Sequence, residues 1–207
     1  MPAVSWLVVG LGNPTPRYEG TRHSVGFEVA TELARRWRVD PPQSRFDALF
    51  SVAERVPRVS GSVLLLWPQT YMNLSGVAVG KVFRRLDVPQ ERTIVVHDDL
   101  DLSLGRIKIK RGGGSGGHNG VQSVIDELGT AGFCRVRCGI DRPENSWAVS
   151  DYVLAPFGEN EIPIASEMVQ QASDAVIEIL ARGLHAAMNK YNHNADPSDG
   201  SDSGGEP

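Results

Sequence analysis

Two shortages in the sequence, of cysteine and of long apolar runs, exclude several classes of protein. Cys134 and Cys138 are the only cysteines among 207 residues. They lie in a stretch that alternates as a β-strand does, so their Cα atoms stand roughly 13 Å apart, about twice the reach of a disulfide. We therefore expect two reduced thiols that point into the core. No further Cys or His stands at the spacing of a metal-binding pair, and no metal is expected.

The longest apolar runs, such as residues 63–67, have the length of a buried strand and are much too short to span a bilayer. Residues 1–12 contain neither a basic segment nor a small-residue cleavage site, so no signal peptide is expected. The sequence therefore predicts a cytoplasmic protein with no membrane partner.

The chain also lacks the basic excess that is typical of nucleic-acid-binding proteins. Its 25 acidic residues outnumber 21 lysines and arginines, which gives a net charge of −4. Four of these acids fall in a final segment without lysine or arginine: Asp196, Asp199, Asp202 and Glu206. The remaining body is neutral, so the distribution of its charges matters more than their sum. We expect residues 1–194 to form the folded domain and residues 195–207, rich in Gly, Ser, Asp and Pro, to be a disordered acidic tail.

Buried strands alternate with amphipathic helices along the chain. Strands are predicted at residues 5–10, 46–54, 63–67, 93–97, 106–110 and 134–140. Helices are predicted at residues 24–37, 74–86, 120–128 and 162–181, with a last short helix that reaches about residue 192. This alternation predicts a single α/β domain with a mixed sheet.

Polar residues stand at the ends of these predicted elements, where loops present chemical groups on a rigid sheet. His23 precedes the first helix, and on its own could be a capping or surface residue. Asp98 follows a buried strand that ends in His97, a position from which an acid can orient an imidazole of another segment. His97 continues the strand and is expected to be structural.

Three asparagines occupy similar positions. Asn13 follows a Gly-x-Gly turn of the kind that begins a dinucleotide-binding motif. The motif is incomplete, because Thr15 stands where its third glycine belongs. The alternative to nucleotide binding is a tight structural turn, in which Asn13 is a turn residue. Asn73 and Asn119 each precede a predicted helix, and N-capping is the alternative role for both. The glycine run at residues 112–117 resembles a phosphate-binding loop but lacks the Gly-Lys-Ser/Thr of a P-loop.

Basic residues alternate along two predicted strands. Arg106, Lys108 and Lys110 share one face of the first, and Arg135 and Arg137 share one face of the second. If both rows point to the same side, they form a phosphate-binding patch. A solvated sheet edge is the alternative.

Together these motifs resemble the bacterial peptidyl-tRNA hydrolases over residues 6–191. Six ordered segments carry the resemblance: Gly10-Leu11-Gly12-Asn13-Pro14, Tyr18, Thr21-Arg22-His23, Tyr71-Met72-Asn73-Leu74-Ser75-Gly76, His97-Asp98-Asp99-Leu100-Asp101 and Gly116-Gly117-His118-Asn119-Gly120. The resemblance implies a single α/β domain, with a twisted mixed β-sheet and helices packed on both faces. It also implies a monomer that needs no metal or other cofactor. Its substrate would be peptidyl-tRNA, whose peptide–tRNA ester it would hydrolyse to recycle tRNA from stalled or aborted translation.

The resemblance also assigns roles to residues. His23 corresponds to the catalytic base, Asp98 to its carboxylate partner, and Asn13 to the residue that distinguishes peptidyl-tRNA from free aminoacyl-tRNA. Substrate-contacting positions are matched by Tyr18, Tyr71, Asn73 and Asn119, with Met72 lining the peptide groove. Lys110 and Arg137 match a pair that holds the tRNA 5′-phosphate. Two residues depart from the family pattern: Thr15 replaces a usual glycine and Ser24 a usual asparagine.

Water is the expected nucleophile, because an ester to a ribose hydroxyl is activated and no Ser or Cys beside a base is evident. Asn73 or Asn119 could stabilise the oxyanion or grip the peptide main chain, and the sequence does not separate these roles. Two other functions remain open. A non-catalytic RNA-binding relative would bind peptidyl-tRNA without cleaving it, and a nucleotide-dependent oxidoreductase would need the missing third glycine.

Overall fold

The structure is a computed structural model and describes residues 4–143 and 147–192. Its strands are β1 (Trp6–Gly10), β2 (Gln43–Arg45), β3 (Ala48–Ala53), β4 (Val63–Pro68), β5 (Thr93–Asp99), β6 (Ile107–Arg111) and β7 (Cys134–Gly139). Its α-helices are α1 (Val25–Trp37), α2 (Ser75–Leu86), α3 (Asn119–Leu128), α4 (Val149–Val153), α5 (Ile162–Arg182) and α6 (Leu184–Tyr191). The predicted helices and strands are confirmed to within a few residues, while β2 and α4 were not predicted.

The seven strands found in the described residues form one mixed sheet in the order β2-β3-β4-β1-β5-β7-β6. The central neighbours β4, β1, β5 and β7 run parallel, and β2, β3 and β6 pair antiparallel. Helices α1 and α5 cover one face, here called the α1 face, and α2 and α3 cover the other, the α3 face. Because both faces are buried, the central strands are continuously apolar. The predicted fold class is confirmed.

Parallel strands bring their carboxyl ends to one edge of the sheet. The chain leaves β1 there, and α1 returns so closely that a Cβ on Gly10 would lie 2.2 Å from the carbonyl oxygen of Gly26. Only glycine fits at this crossing, since real side chains do not approach backbone so closely. The close crossing holds the start of α1 against the ends of β1 and β5.

Other expectations concern the thiols, the tail and the membrane. Cys134 and Cys138 are free and buried, as predicted. The predicted acidic tail, residues 195–207, lies outside the described residues, as does the end of the predicted folded domain. Among the helices that the structure describes, none has both the length and the apolar character to cross a bilayer.

Candidate active site

The site is built around the Asp98 carboxylate near the end of β5. His23 lies on a short 3₁₀ turn just before α1, and its Nδ1 is 2.9 and 3.0 Å from the two oxygens of Asp98. Both side chains are buried, with Asp98 only 3% exposed. The expected contact between an imidazole and a carboxylate from distant segments is therefore present.

A second imidazole, for which no separate role was predicted, shares the same carboxylate. His118 Nε2 lies 2.9 Å from Asp98 Oδ1. Its Nδ1 accepts hydrogen bonds from the backbone N–H groups of Gly120 and Val121, at 3.1 and 3.2 Å, so His118 is the N-cap of α3. Because Nδ1 accepts, the ring proton must be on Nε2, which donates to Asp98.

The same reasoning fixes the tautomer of His23. An ionised carboxylate only accepts hydrogen bonds, so the Nδ1 of His23 carries the ring proton and donates a hydrogen bond to Asp98. The Nε2 of a neutral His23 then holds a lone pair. This arrangement gives a general base, with its orientation set by a buried acid.

Two groups around the imidazoles have strongly shifted pKa values. Burial alone would raise the pKa of Asp98, but His118 and His23 hold it well below its usual range, so the carboxylate stays ionised. Burial lowers the pKa of His97 to about 3, and its Nδ1 donates to the carbonyl oxygen of Asp98 at 2.7 Å. His97 is therefore a neutral structural residue, and its ring packs 4.9 Å from that of His118.

One ligand atom from each of His23, Asp98 and His118 lies within 4.8 Å of the others, a spacing that could hold a metal ion. The hydrogen bonds argue against that use. The N-cap contacts require the proton of His118 to be on Nε2, so this atom has no lone pair to offer a metal. The donor set fits a proton relay better than a coordination site.

The three asparagines lie on separate segments of the chain. Asn13 is buried at the end of β1, and its Oδ1 accepts from the backbone N–H of Met72 at 2.9 Å. Met72 packs against the start of α3, because a Cβ on Gly120 would lie 2.3 Å from its sulfur. Asn73 directly follows Met72, and Asn119 directly precedes Gly120. The side chains of both asparagines are exposed.

The capping role is wrong for both asparagines. Asn119 is the first residue of α3, and its neighbour His118 caps the helix. Asn73 lies inside the 3₁₀ turn Met72–Leu74, and neither that turn nor α2 has a side-chain cap. Among the residues that the structure describes, neither exposed amide forms a hydrogen bond. Tyr71 is also exposed at 57%, and Tyr18 lies on the loop that leads to His23, where its carbonyl accepts from the Thr21 hydroxyl.

The comparisons with known proteins agree over nearly the whole chain. A family model described as Peptidyl-tRNA hydrolase matches residues 7–199. The chain belongs to this family. Proteins named peptidyl-tRNA hydrolase from Geobacillus thermodenitrificans and Symbiobacterium thermophilum are 46% and 45% identical to it, over 90% of this chain and 98% of each relative. A crystal structure of peptidyl-tRNA hydrolase from Acinetobacter baumannii matches with a TM-score of 0.82 and 34% identity, covering 93% of this chain and 96% of that one. The resemblance stated from the sequence, and the enzyme class it implies, are confirmed.

The basic rows of this family member lie side by side on the α3 face. Lys108 stands opposite Arg137 and Lys110 opposite Arg135 in the β6–β7 register, so all four side chains point to one side of the sheet. Arg137 forms an ion pair with Asp99 at 2.5 Å. The pKa of Lys110 is lowered, mainly by burial and then by the positive charges of Arg135 and Arg137, as expected where cations are crowded.

Two members of the predicted rows differ from the expectation of exposed residues within a strand. Arg135 is 2% exposed, and its guanidinium donates to the carbonyl oxygens of Gly113 and Gly114. It therefore holds the glycine loop instead of facing solvent. Arg106 precedes β6 by one residue.

The sequence also left Arg22 without a role. Its guanidinium donates to the carbonyl oxygens of Ala155 and Pro156 and to Glu161, and lies 4.2 Å from the centre of the Tyr152 ring. Arg22 thus ties the turn that carries His23 to the segment between α4 and α5. In the sequence, the only indication of a role for Arg22 is its position next to His23.

Of the two departures from the family pattern, Ser24 lies at the site. It is 2% exposed, and its hydroxyl oxygen accepts from the backbone N–H of Asn13 at 3.3 Å and from the Thr21 hydroxyl at 3.2 Å. A serine therefore still links Asn13 to the turn of His23. Thr15 caps a short 3₁₀ turn without a side-chain hydrogen bond.

Proposed function

We propose that this chain hydrolyses the ester bond between the peptide, or an N-blocked amino acid, and tRNA in peptidyl-tRNA, with water as nucleophile and His23 as general base. The family assignment supports the substrate. The observation that carries the mechanism is the pair of imidazoles that donate to Asp98. This pairing leaves a free lone pair on the Nε2 of His23.

In the first step, a water oxygen bonds to the ester carbonyl carbon while His23 Nε2 takes one of its protons. Asp98 stabilises the imidazolium that forms. In the second step the tetrahedral intermediate breaks the bond to the ribose oxygen, and the imidazolium returns its proton to that leaving group. General-base help of this kind is worth about 10²–10⁴-fold in rate.

The surrounding residues would position the substrate. The exposed amides of Asn73 and Asn119 are suited to donate to the oxyanion or to the peptide main chain. Asn13 would discriminate peptidyl-tRNA from aminoacyl-tRNA. Tyr18, Tyr71 and Met72 would complete the contacts to the substrate.

On the α3 face, Lys110 and Arg137 would hold the tRNA 5′-phosphate without reading bases. We propose that the protein works as a cytoplasmic monomer. No step of the reaction requires a metal or other cofactor.

The test is cleavage of N-acetyl-aminoacyl-tRNA, with chelator present and no added cofactor. His23→Ala should abolish turnover yet leave tRNA binding within about twofold, since the imidazole serves the chemical step. His185→Ala, at an exposed histidine of α6, is the matched control and should behave as wild type. Near-normal turnover by His23→Ala would exclude the base assignment. Binding without cleavage by the wild-type protein would favour the RNA-binding function.

A further inference from the structure

The last residue that the structure describes, Asn192, is fixed at the outer edge of β6. Its Oδ1 accepts from the Ile109 N–H and its Nδ2 donates to the Ile109 carbonyl oxygen, both at 2.8 Å. Strand β6 is the last in the order of the sheet, and α6 packs against it from the α1 face. The acidic tail, residues 195–207, therefore follows closely after a fixed point at the edge of the basic rows.

One cation of these rows has no carboxylate partner. Arg137 is paired with Asp99, and Arg135 is buried against the glycine loop. Lys110 points to the α3 face and is partly exposed. Among the residues that the structure describes, Lys110 forms no ion pair. A carboxylate brought to Lys110 would relieve the crowding of positive charge around it.

The acidic tail offers carboxylates and few other binding groups. It contains four acids, no lysine or arginine, and no Val, Leu, Ile, Met or aromatic residue. It therefore has little apolar surface to bury, and its contacts must be electrostatic. Carboxylates and phosphates are bound by the same cations, so such a segment resembles an RNA backbone in what it can bind.

The connection is long enough for this contact. Asp196 follows Asn192 by four residues, which span up to about 13 Å when extended. Lys110 directly follows Ile109, the residue that Asn192 holds, so their Cα atoms are about 3.8 Å apart. The chain can pass round the outer edge of β6 from the α1 face to the α3 face, because the sheet of the described residues ends there.

We infer that the acidic tail binds Lys110 and competes there with the 5′-phosphate of tRNA. The inference rests on the proposed function, which gives that phosphate to Lys110 and Arg137. Exposed ion pairs are individually weak, so the tail is a competitor that a substrate can displace. An RNA that meets only the basic residues must displace the tail without further gain, whereas peptidyl-tRNA also gains the contacts around His23.

The test neutralises the four tail acids together in the full chain, by Asp196→Asn, Asp199→Asn, Asp202→Asn and Glu206→Gln. At low salt, KM for N-acetyl-aminoacyl-tRNA should fall by about threefold or more, because the competitor is lost. The kcat should not change, since the tail takes no part in the chemical step. The difference in KM should shrink as salt is raised, because screening weakens exposed ion pairs.

A change in net charge alone could also improve binding of tRNA. The matched control therefore neutralises four exposed acids of the folded domain, by Asp40→Asn, Glu54→Gln, Asp87→Asn and Glu167→Gln. It should change KM by less than about 1.5-fold, because these acids are not tethered beside Lys110. In a Lys110→Ala background, neutralising the tail should likewise change KM by less than about 1.5-fold.

Equal gains in the two fourfold variants would overturn the inference, as would a gain that persists without Lys110, or no gain at all. These outcomes leave the proposed function standing. If the wild-type protein cleaves no N-acetyl-aminoacyl-tRNA, the proposed function fails instead. The Kd of the same variants for deacylated tRNA then tests the tail by the same comparison.

Discussion

At the scale of the residue, Asp98 has the most demanding position, because one carboxylate accepts from two imidazoles. An asparagine in its place has a single acceptor oxygen, and its NH₂ group would face an N–H donor. One imidazole must then turn or change tautomer. We expect Asp98→Asn to lower kcat by about 10²–10⁴-fold, because His23 loses the orientation of its base.

The measurement is turnover of N-acetyl-aminoacyl-tRNA at saturating substrate. Asp101→Asn is the control, because Asp101 is an exposed acid three residues away that pairs with Arg142. It should keep wild-type kcat. A loss smaller than about tenfold in Asp98→Asn would contradict the assigned role.

His97 predicts a dependence of stability on pH. Its folded pKa is about 3, against about 6.5 in an unfolded chain, so between these values the unfolded state binds the extra proton. Stability from this group is therefore complete above pH 6.5 and is lost as pH falls towards 3. From pH 7 to pH 5 the loss from His97 alone should be about 2 kcal/mol.

Urea unfolding at pH 7 and pH 5 tests this sign. His97→Asn retains a donor for the Asp98 carbonyl but cannot titrate, so its free energy of unfolding should fall less between the two pH values than that of wild type. A cavity cost would appear equally at both pH values and cancel in the difference. If the free energy of unfolding fell equally in wild type and variant between pH 7 and pH 5, His97 would not be the group that makes stability depend on pH.

At the scale of the element, the glycine loop at residues 112–117 depends on one buried side chain. Arg135 donates to the carbonyls of Gly113 and Gly114, and the loop leads directly into His118 and Asn119. Arg135→Met removes both bonds and should cost about 1.5–3 kcal/mol. It should also speed amide hydrogen exchange in the loop and raise KM for the tRNA substrate.

Arg135→Lys, which keeps the charge and one donor, should recover part of the loss. Hydrogen exchange followed by mass spectrometry, compared with kcat and KM for each variant, separates loop positioning from general destabilisation. Unchanged exchange in the loop of Arg135→Met would rule out this role.

The elements also show what a sequence can predict. Period-2 and period-3.6 patterns located the main helices and strands because burial imposes them. The pairing of His23 with Asp98 could be expected because both residues follow or precede buried elements at one sheet edge. His118 was missed because its role depends on Nδ1 capping α3, a tautomer that only the fold fixes. Arg135 was predicted to belong to an exposed basic row, because alternation shows which face of a strand a side chain points to. It does not show that the glycine loop covers that face at Arg135.

At the scale of the whole molecule, the sheet separates two kinds of chemistry. The basic residues of β6 and β7 point to the α3 face. A cleft on the α1 face is lined by apolar side chains and by the carboxylates Glu19, Glu28 and Asp40. His23 lies on the turn just before α1, in contact with Asp98 of β5. This arrangement accounts for a neutral body that nonetheless serves an RNA substrate. Affinity for tRNA should then come from a few local contacts and not from the net charge.

Salt dependence measures those contacts. Each phosphate neutralised contributes about 0.7–0.9 to the slope of log K against log salt concentration. Lys110→Ala should therefore flatten the slope of tRNA binding by about that amount, and raise KM for full tRNA substrates but not for a short peptidyl-nucleotide ester. Arg182→Ala, which removes an exposed cation of α5 paired with Glu178, changes net charge equally and should leave the slope unaltered. Equal slopes in the two variants would mean that binding follows total charge, and the separation of the two faces would then have no part in recognising tRNA.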